Sequence, residues 1–168
     1  MEKIRTVFVI EDSRIISEII SLQLKMKFKC DVITFENGDN IISETDKYSP
    51  DLIILDYNFG NKNLVYINGL KVLVQLRKTY KTPVIIFSGQ RDKKKALEII
   101  HAGAIDYIDK DDDDFMINLL TSVDDVFKIQ VSKGRIEKLK SKLKTFFIIL
   151  ILLLLIGTSV IVFTDYLL

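Results

Sequence analysis

Five side chains spread along the chain carry the kinds of groups that handle phosphate. They are two adjacent acids, Glu11 and Asp12, followed by Asp56, Ser88 and Lys110. Clustered acids repel one another unless a cation lies among them, and magnesium takes one or two carboxylates together with water and phosphate oxygens. An aspartate can also act as a nucleophile toward phosphorus and form an acyl phosphate. The set therefore predicts a magnesium-dependent phosphoryl site, provided that the fold brings the five residues together.

Each member of the set has a distinct part in such a site. Asp12 and Asp56 would bind the ion, and Glu11 would support it through water. Positive charge on the ion and on Lys110 would stabilise the phosphoryl group during transfer. The Ser88 hydroxyl could donate a hydrogen bond to a new phosphoryl oxygen, which would draw its loop inward only after modification and so act as a local switch.

The elements that would position these residues alternate between strand-like and helix-like runs. Short apolar runs such as DLIIL and PVIIF are each followed by a run with helical spacing, five times over. This pattern predicts an α/β fold in which helices cover both faces of a parallel sheet. Ligands of open parallel sheets bind beyond the carboxyl ends of the strands. The five residues follow or end strands, so they would meet at one edge.

Taken in order, these motifs resemble the receiver domain of two-component response regulators. The resemblance rests on the acidic pair, on PDLIILD ending at Asp56, on PVIIFSG with Ser88, and on AGAIDYIDK with Tyr107 and Lys110. It covers about residues 3–131. It implies a flavodoxin-like (βα)5 fold, a doubly wound parallel sheet with strand order 2-1-3-4-5.

The resemblance also implies a phosphoacceptor and a metal site. Asp56 would receive phosphate from a phosphohistidine on a sensor histidine kinase or a histidine phosphotransfer protein. Glu11, Asp12 and Asp56 would hold Mg²⁺ or Mn²⁺, joined by the backbone carbonyl of Asn58.

Other residues would bind the phosphoryl group or respond to it. Lys110 would bind it, and Ser88 and Tyr107 would form a switch pair in which the ring turns inward as the hydroxyl engages the phosphate. Alternatively, Tyr107 is a static half-buried aromatic residue and Ser88 a plain turn residue. Asn58 and Gln90 lie near positions that tune hydrolysis in the family, where their amides could orient or block the attacking water.

Two stretches depart from the family pattern. Asp111 follows Lys110 where most relatives have a proline, and this could weaken the hold on Lys110. The run Asp111 to Asp114 would cap the last helix and place favourable charge at its start. The loop DYNFGNKNLVYING reaches Gly69 several residues late. Long loops beside a site often gate it or bind partners, so this one could alter partner choice or phosphoryl lifetime, or be a tolerated insertion.

The end of the chain predicts a membrane anchor. Residues 145–164 carry no charged side chain, and a helix of about 20 residues spans the roughly 30 Å hydrocarbon core of a bilayer. We therefore expect a receiver domain at 1–131, a basic juxtamembrane segment at 132–144, a transmembrane helix at 145–164 and a short external tail at 165–168. Basic residues favour the cytoplasmic side, which would place the receiver domain in the cytoplasm. They are Lys133, Arg135, Lys138, Lys140, Lys142 and Lys144.

The basic segment has further interpretations besides that of a cytoplasmic flank. It could contact anionic lipid headgroups or only mark topology. Apolar residues spaced alternately three and four apart would suit a short coiled-coil seam, so a homodimer is an alternative. They are Ile136, Leu139, Leu143, Phe146 and Leu150.

Composition excludes several other classes of site. A net charge of +1 gives no general attraction to nucleic acid. A single cysteine, Cys30, and a single histidine, His101, exclude an internal disulfide and a site built from several cysteines or histidines.

The expected function is that of a membrane-anchored stand-alone receiver that binds a downstream protein and is not an enzyme, apart from self-phosphorylation and self-dephosphorylation. One alternative is a membrane-tethered scaffold that never uses phosphate. The other is a phosphatase of the haloacid-dehalogenase type, which would need a general acid where this chain has Asn58.

Overall fold

The computed structural model describes residues 4–38, 40–58, 69–89 and 93–167, with side chains as far as residue 152. Five strands alternate with five helices in this part of the chain. The strands are β1 (Thr6–Ile10), β2 (Asp31–Phe35), β3 (Leu52–Asp56), β4 (Val84–Ser88) and β5 (Asp106–Asp109). The helices are α1 (Arg14–Phe28), α2 (Ile41–Tyr48), α3 (Gly69–Thr79), α4 (Lys93–His101) and α5 (Phe115–Leu167).

The sheet confirms the predicted parallel α/β architecture. All neighbouring strands are parallel, and their order is β2-β1-β3-β4-β5. Every residue of β3 and β4 is buried, because parallel strands covered on both faces are apolar without alternation. These central strands form the rigid platform on which the residues at their carboxyl ends are placed.

The register of the ladders aligns the carboxyl ends of the strands. Ile10 lies opposite Leu55, Asp56 lies opposite Phe87, and Ser88 lies opposite Asp109. The residues that end β3 and β4, and those that follow β1 and β5, therefore come out at the same edge of the sheet. This is the edge that the sequence predicted for the site.

Helix α1 buries a different face from the one marked by the apolar residues that recur every three or four positions along it. Ile15, Leu22 and Met26 are 72%, 59% and 70% exposed. The residues buried beneath the helix are Ser17, Ile20 and Leu24. Apolar periodicity thus identified the helix without identifying which side packs on the sheet.

Helix α5 begins directly after the acidic run Asp111 to Asp114. A turn at Asp112 to Asp114 precedes it, and its backbone runs from Phe115 to Leu167. Among the residues that the structure describes, no helix combines the length and apolar character of a membrane span. The side chains of residues 153–164, which belong to the predicted span, lie outside the part of the chain that the structure describes. Gln90 and residues 59–68, which make up most of the long loop, lie outside it altogether. The predicted domain boundaries stay predictions.

Gly69 joins the end of the long loop to the strand that carries Asp56. Its backbone N–H donates to the carbonyl of Tyr57 at 2.8 Å. A Cβ at this position would lie 2.6 Å from the carbonyl oxygen of Asp56 and 2.9 Å from Cα of Tyr57. The first residue of α3 therefore packs directly on the backbone that presents Asp56, at a separation that only glycine allows.

We expect Gly69→Ala to lower the free energy of unfolding by about 1–3 kcal/mol, because the added methyl group forces the backbone at Asp56 to shift. Urea unfolding followed by circular dichroism in a zwitterionic detergent measures this. Gly134→Ala is the matched control, since a Cβ there meets no atom within 4 Å and alanine is the better helix former. Equal urea midpoints for Gly69→Ala and wild type would contradict the expectation.

Candidate acidic phosphoryl site

Three carboxylates meet at the carboxyl edge of the sheet. Glu11 and Asp12 follow β1, and Asp56 ends β3. Each offers one oxygen, and these oxygens lie within 4.8 Å of one another. Glu11 and Asp56 are 2% and 3% exposed, whereas Asp12 is exposed to solvent. The predicted cluster therefore forms, with two members in the interior and one at the surface.

Lys110 pairs with both buried carboxylates. Its Nζ lies 2.6 Å from Oε2 of Glu11 and 3.0 Å from Oδ2 of Asp56. It also lies 4.1 Å from the centroid of the Phe87 ring, where a cation is attracted by the electron-rich face. Residues far apart in the sequence thus place one ammonium group against two acids. The predicted role of Lys110 in binding a phosphoryl group stays a prediction.

Backbone N–H groups hold the second oxygen of each buried carboxylate. Ser13 donates to Oε1 of Glu11 at 3.0 Å, and Asn58 donates to Oδ1 of Asp56 at 3.1 Å. Both donors come two residues after the acid they serve, so the turn that ends each strand also orients its carboxylate. Asn58 consequently lies beside the cluster, and the role of its carbonyl as a ligand stays a prediction.

Lys110 offsets only part of the effect of burial on the pKa of Glu11. Burial raises the pKa of Glu11 above its ordinary value, and the nearby charge of Asp56 raises it further. The hydrogen bond and the charge of Lys110 act in the opposite direction on the same pKa without cancelling the effect of burial. A further cation among the carboxylates would favour their ionised forms.

The donor set fits magnesium. Mg²⁺ prefers oxygen ligands, binds few protein carboxylates at a time and keeps several waters. Glu11, Asp12 and Asp56 supply three carboxylates within a small volume, and one of them, Asp12, is exposed to solvent. The residues that the structure describes here offer no thiolate or imidazole that would instead indicate zinc.

Ser88 has a buried hydroxyl without a partner. The residue is 1% exposed, and its Oγ makes no hydrogen bond with any described residue. Buried polar groups are nearly always paired, and leaving one unpaired costs about 1–3 kcal/mol. An unpaired hydroxyl at the end of β4, next to the strand that ends in Asp56, indicates that its partner is a group absent from the described chain.

Tyr107 lies in the edge strand β5 and is half-buried. It packs against the core cluster that includes Ile86, Ile99 and Ala104. This position is compatible with either a mobile or a static ring, so its role as a switch residue stays a prediction.

The segment that begins at Lys110 has no proline and is held by hydrogen bonds from backbone N–H groups. The backbone N–H of Lys110 donates to the carbonyl of Ser88 at 2.9 Å, which extends the ladder between β4 and β5. Asp109 accepts from the N–H of Asp111 at 2.9 Å, and Asp112 accepts from the N–H of Asp114 at 3.0 Å. These turns explain how an acidic run leads into α5 while Lys110 still reaches the cluster.

Sequence reasoning missed Phe87 as part of the site. It is fully buried in β4 and reads in the sequence as one more apolar residue of a central strand. Only its position directly before Ser88 hinted that it lies near the site, and that signal does not distinguish a ring beneath an ammonium group from a core aromatic residue.

Comparison with known proteins agrees with this geometry. Residues 7–121 match the family model described as the response regulator receiver domain. A signal receiver domain of a putative Luxo repressor protein from Vibrio parahaemolyticus is similar at 25% identity and a TM-score of 0.70, over 80% of this chain and 98% of that one. The receiver domain of Francisella response regulator 1452 is similar at 24% identity and a TM-score of 0.66, over 75% and 98%.

Curated relatives match the same part of the chain. A protein-glutamate methylesterase/protein-glutamine glutaminase of Trichodesmium erythraeum is 35% identical over 114 residues, covering 66% of this chain and 31% of that protein. One from Bacillus subtilis is 28% identical over 137 residues, covering 80% and 37%. The chain thus spans about a third of the length of these relatives.

These relatives correct one expectation drawn from the sequence. The chain was expected not to be an enzyme, apart from self-phosphorylation and self-dephosphorylation. The curated proteins that share this region are named as enzymes, so the expectation is wrong. The match covers 28%, 29% and 37% of those proteins.

Proposed function

The chain belongs to the response regulator receiver domain family, and on that basis we propose that Asp56 accepts phosphate from a histidine kinase or a phosphotransfer protein. We further propose that the chain is anchored to the cell membrane and signals through contact with a downstream protein. The observation that carries the first proposal is the pairing of buried Asp56 with Lys110, within a cluster of acids that suits a divalent cation.

The surroundings of Asp56 suit a nucleophile. Oδ2 faces the ammonium group of Lys110, and Oδ1 accepts from the N–H of Asn58. These contacts fix the direction of the carboxylate before any phosphodonor arrives, which removes the entropic cost of orienting it. Lys110 is then in place to hold negative charge on the transferred group.

Glu11, Asp12 and Asp56 would hold the metal, with the carbonyl of Asn58 as a fourth proposed ligand. When bound, the ion supplies positive charge that neutralises the oxygens of the transferred group. The contribution of this chain is to keep two of the carboxylates buried and oriented through Ser13 and Asn58.

Ser88 and Tyr107 are the proposed switch residues. Among the described residues the Ser88 hydroxyl has no hydrogen-bond partner, and a phosphoryl oxygen on Asp56 would accept a bond from it. Forming that bond would remove the free-energy penalty of burying the Ser88 hydroxyl without a hydrogen bond. It would also move the end of β4, so that phosphorylation alters the adjoining surface. Rotation of Tyr107 would accompany this movement, and Asn58 and Gln90 would tune how quickly the phosphoryl group is hydrolysed.

Phosphorylation is tested by incubating the full chain with acetyl phosphate and magnesium and measuring the intact mass. We expect one added phosphoryl group in the wild type and none in Asp56→Asn. The control Asp113→Asn alters an exposed aspartate outside the cluster and should be modified like the wild type. An unmodified wild type would instead favour the scaffold that never uses phosphate. Equal modification of Asp56→Asn would mean that another residue accepts the phosphoryl group, which would contradict the proposal.

The anchor is proposed from the uncharged run at 145–164 and the basic segment before it. We expect the full chain to stay with the membrane pellet after carbonate extraction, because about 20 apolar residues cannot leave the bilayer without exposing them to water. A variant ending at Lys144 should move to the supernatant. Release of the full chain into the supernatant would contradict anchoring and leave the phosphorylation result unaffected.

A further inference from the structure

Helix α5 carries an exposed apolar seam that the phosphoryl site does not use. Its members recur at intervals of seven, three and four residues, which are the a and d positions of a heptad repeat. The exposed fractions of Ile136, Leu139 and Leu143 are 54%, 60% and 50%. The α5 seam consists of Ile129, Ile136, Leu139 and Leu143.

The seam is narrow. Between Ser132 and Lys144 the apolar residues are Ile136, Leu139 and Leu143, all at a or d. A strict a and d stripe is typical of contact with another helix, whereas a helix that lies on a lipid surface presents a broader apolar face. The stripe therefore favours a helical partner over a membrane surface.

The residues that flank the seam all carry the same charge. With Ile129 at position a, the e positions are occupied by Lys133 and Lys140 and the g positions by Lys128, Arg135 and Lys142. These positions meet their counterparts across a two-stranded coiled coil and set the choice of partner. The one acid in this stretch, Glu137, falls at position b, away from the contact.

Self-association would bring these positive charges together. In a parallel pair the g residues face e residues of the other helix, and in an antiparallel pair e faces e and g faces g. Every such pairing of two copies over residues 128–142 joins two basic side chains, and like charges at these positions oppose association. The seam thus has the apolar pattern of a coiled coil together with charges that reject a second copy.

We propose that the α5 seam binds an α-helix of another protein that has apolar residues at a and d and Glu or Asp at e and g. This occupant satisfies both observations, since it buries the stripe and pairs its acids with the flanking lysines and arginine. It replaces the homodimer suggested by the heptad spacing alone. We expect this contact not to depend on phosphorylation of Asp56.

The test uses the full chain in a zwitterionic detergent and two labelled synthetic peptides of about four heptads, both with leucine at a and d. One peptide has Glu at every e and g position and the other has Lys. Fluorescence anisotropy at about 0.15 M salt, where exposed charges still interact at contact distance, should show the acidic peptide bound at least about tenfold more tightly than the basic one.

Charge reversal locates the contact. The double variant Arg135→Glu with Lys140→Glu should weaken binding of the acidic peptide about tenfold and strengthen binding of the basic one. The matched control, Lys138→Glu with Lys144→Glu, makes the same change in net charge at positions c and b and should alter either affinity less than about threefold. Circular dichroism checks that both variants keep their helix content.

Three results would overturn the proposal. Equal losses in the two double variants would mean general attraction between opposite charges. Sedimentation of the chain as a stable dimer that the acidic peptide does not displace would mean that a second copy occupies the seam. Binding to vesicles containing phosphatidylserine, combined with indifference to the acidic peptide, would mean a lipid surface. Asp56→Asn should bind the acidic peptide like the wild type, so this result is separable from a failure of phosphorylation.

Discussion

The contact between Lys110 and the two buried carboxylates of Glu11 and Asp56 is the interaction on which the rest of the site depends. Two like charges in the interior are costly unless a counter-charge is close, and the ammonium group lies 2.6 Å and 3.0 Å from them. Because burial still raises the pKa of Glu11, the lysine offsets this cost only in part. A further cation among the carboxylates would therefore favour their ionised forms.

The sheet makes this arrangement possible. Glu11, Asp56 and Lys110 belong to three different strand ends, and the parallel register brings those ends to one edge. Gly69 then lets α3 approach the backbone of Asp56 more closely than any other residue would allow. The backbone hydrogen bond from Lys110 to Ser88 holds the end of β5 beside β4. The proline that the family usually has directly after this lysine is Asp111 here. Rigid backbone contacts thus support each charged side chain.

Much of this could be predicted from the sequence, for a physical reason. Parallel strands that are buried on both faces consist of unbroken apolar runs, and ligands bind beyond their carboxyl ends, where polar residues follow. The runs DLIILD and PVIIFS therefore indicate both the sheet and its functional edge. Other features arise only from packing. The exposed side of α1, the ring of Phe87 beneath Lys110 and the orphaned hydroxyl of Ser88 depend on which surfaces meet in three dimensions, and local pattern does not encode that.

Magnesium binding tests the central claim, that the acidic cluster is a cation site which Lys110 leaves incompletely neutralised. Titration calorimetry of Mg²⁺ into the full chain at neutral pH should give saturable binding of one ion per chain. Asp12→Asn should weaken that binding at least about tenfold, because it removes a carboxylate ligand from a site that has few. Absence of saturable binding, or equal affinity for the wild type and Asp12→Asn, would contradict the account.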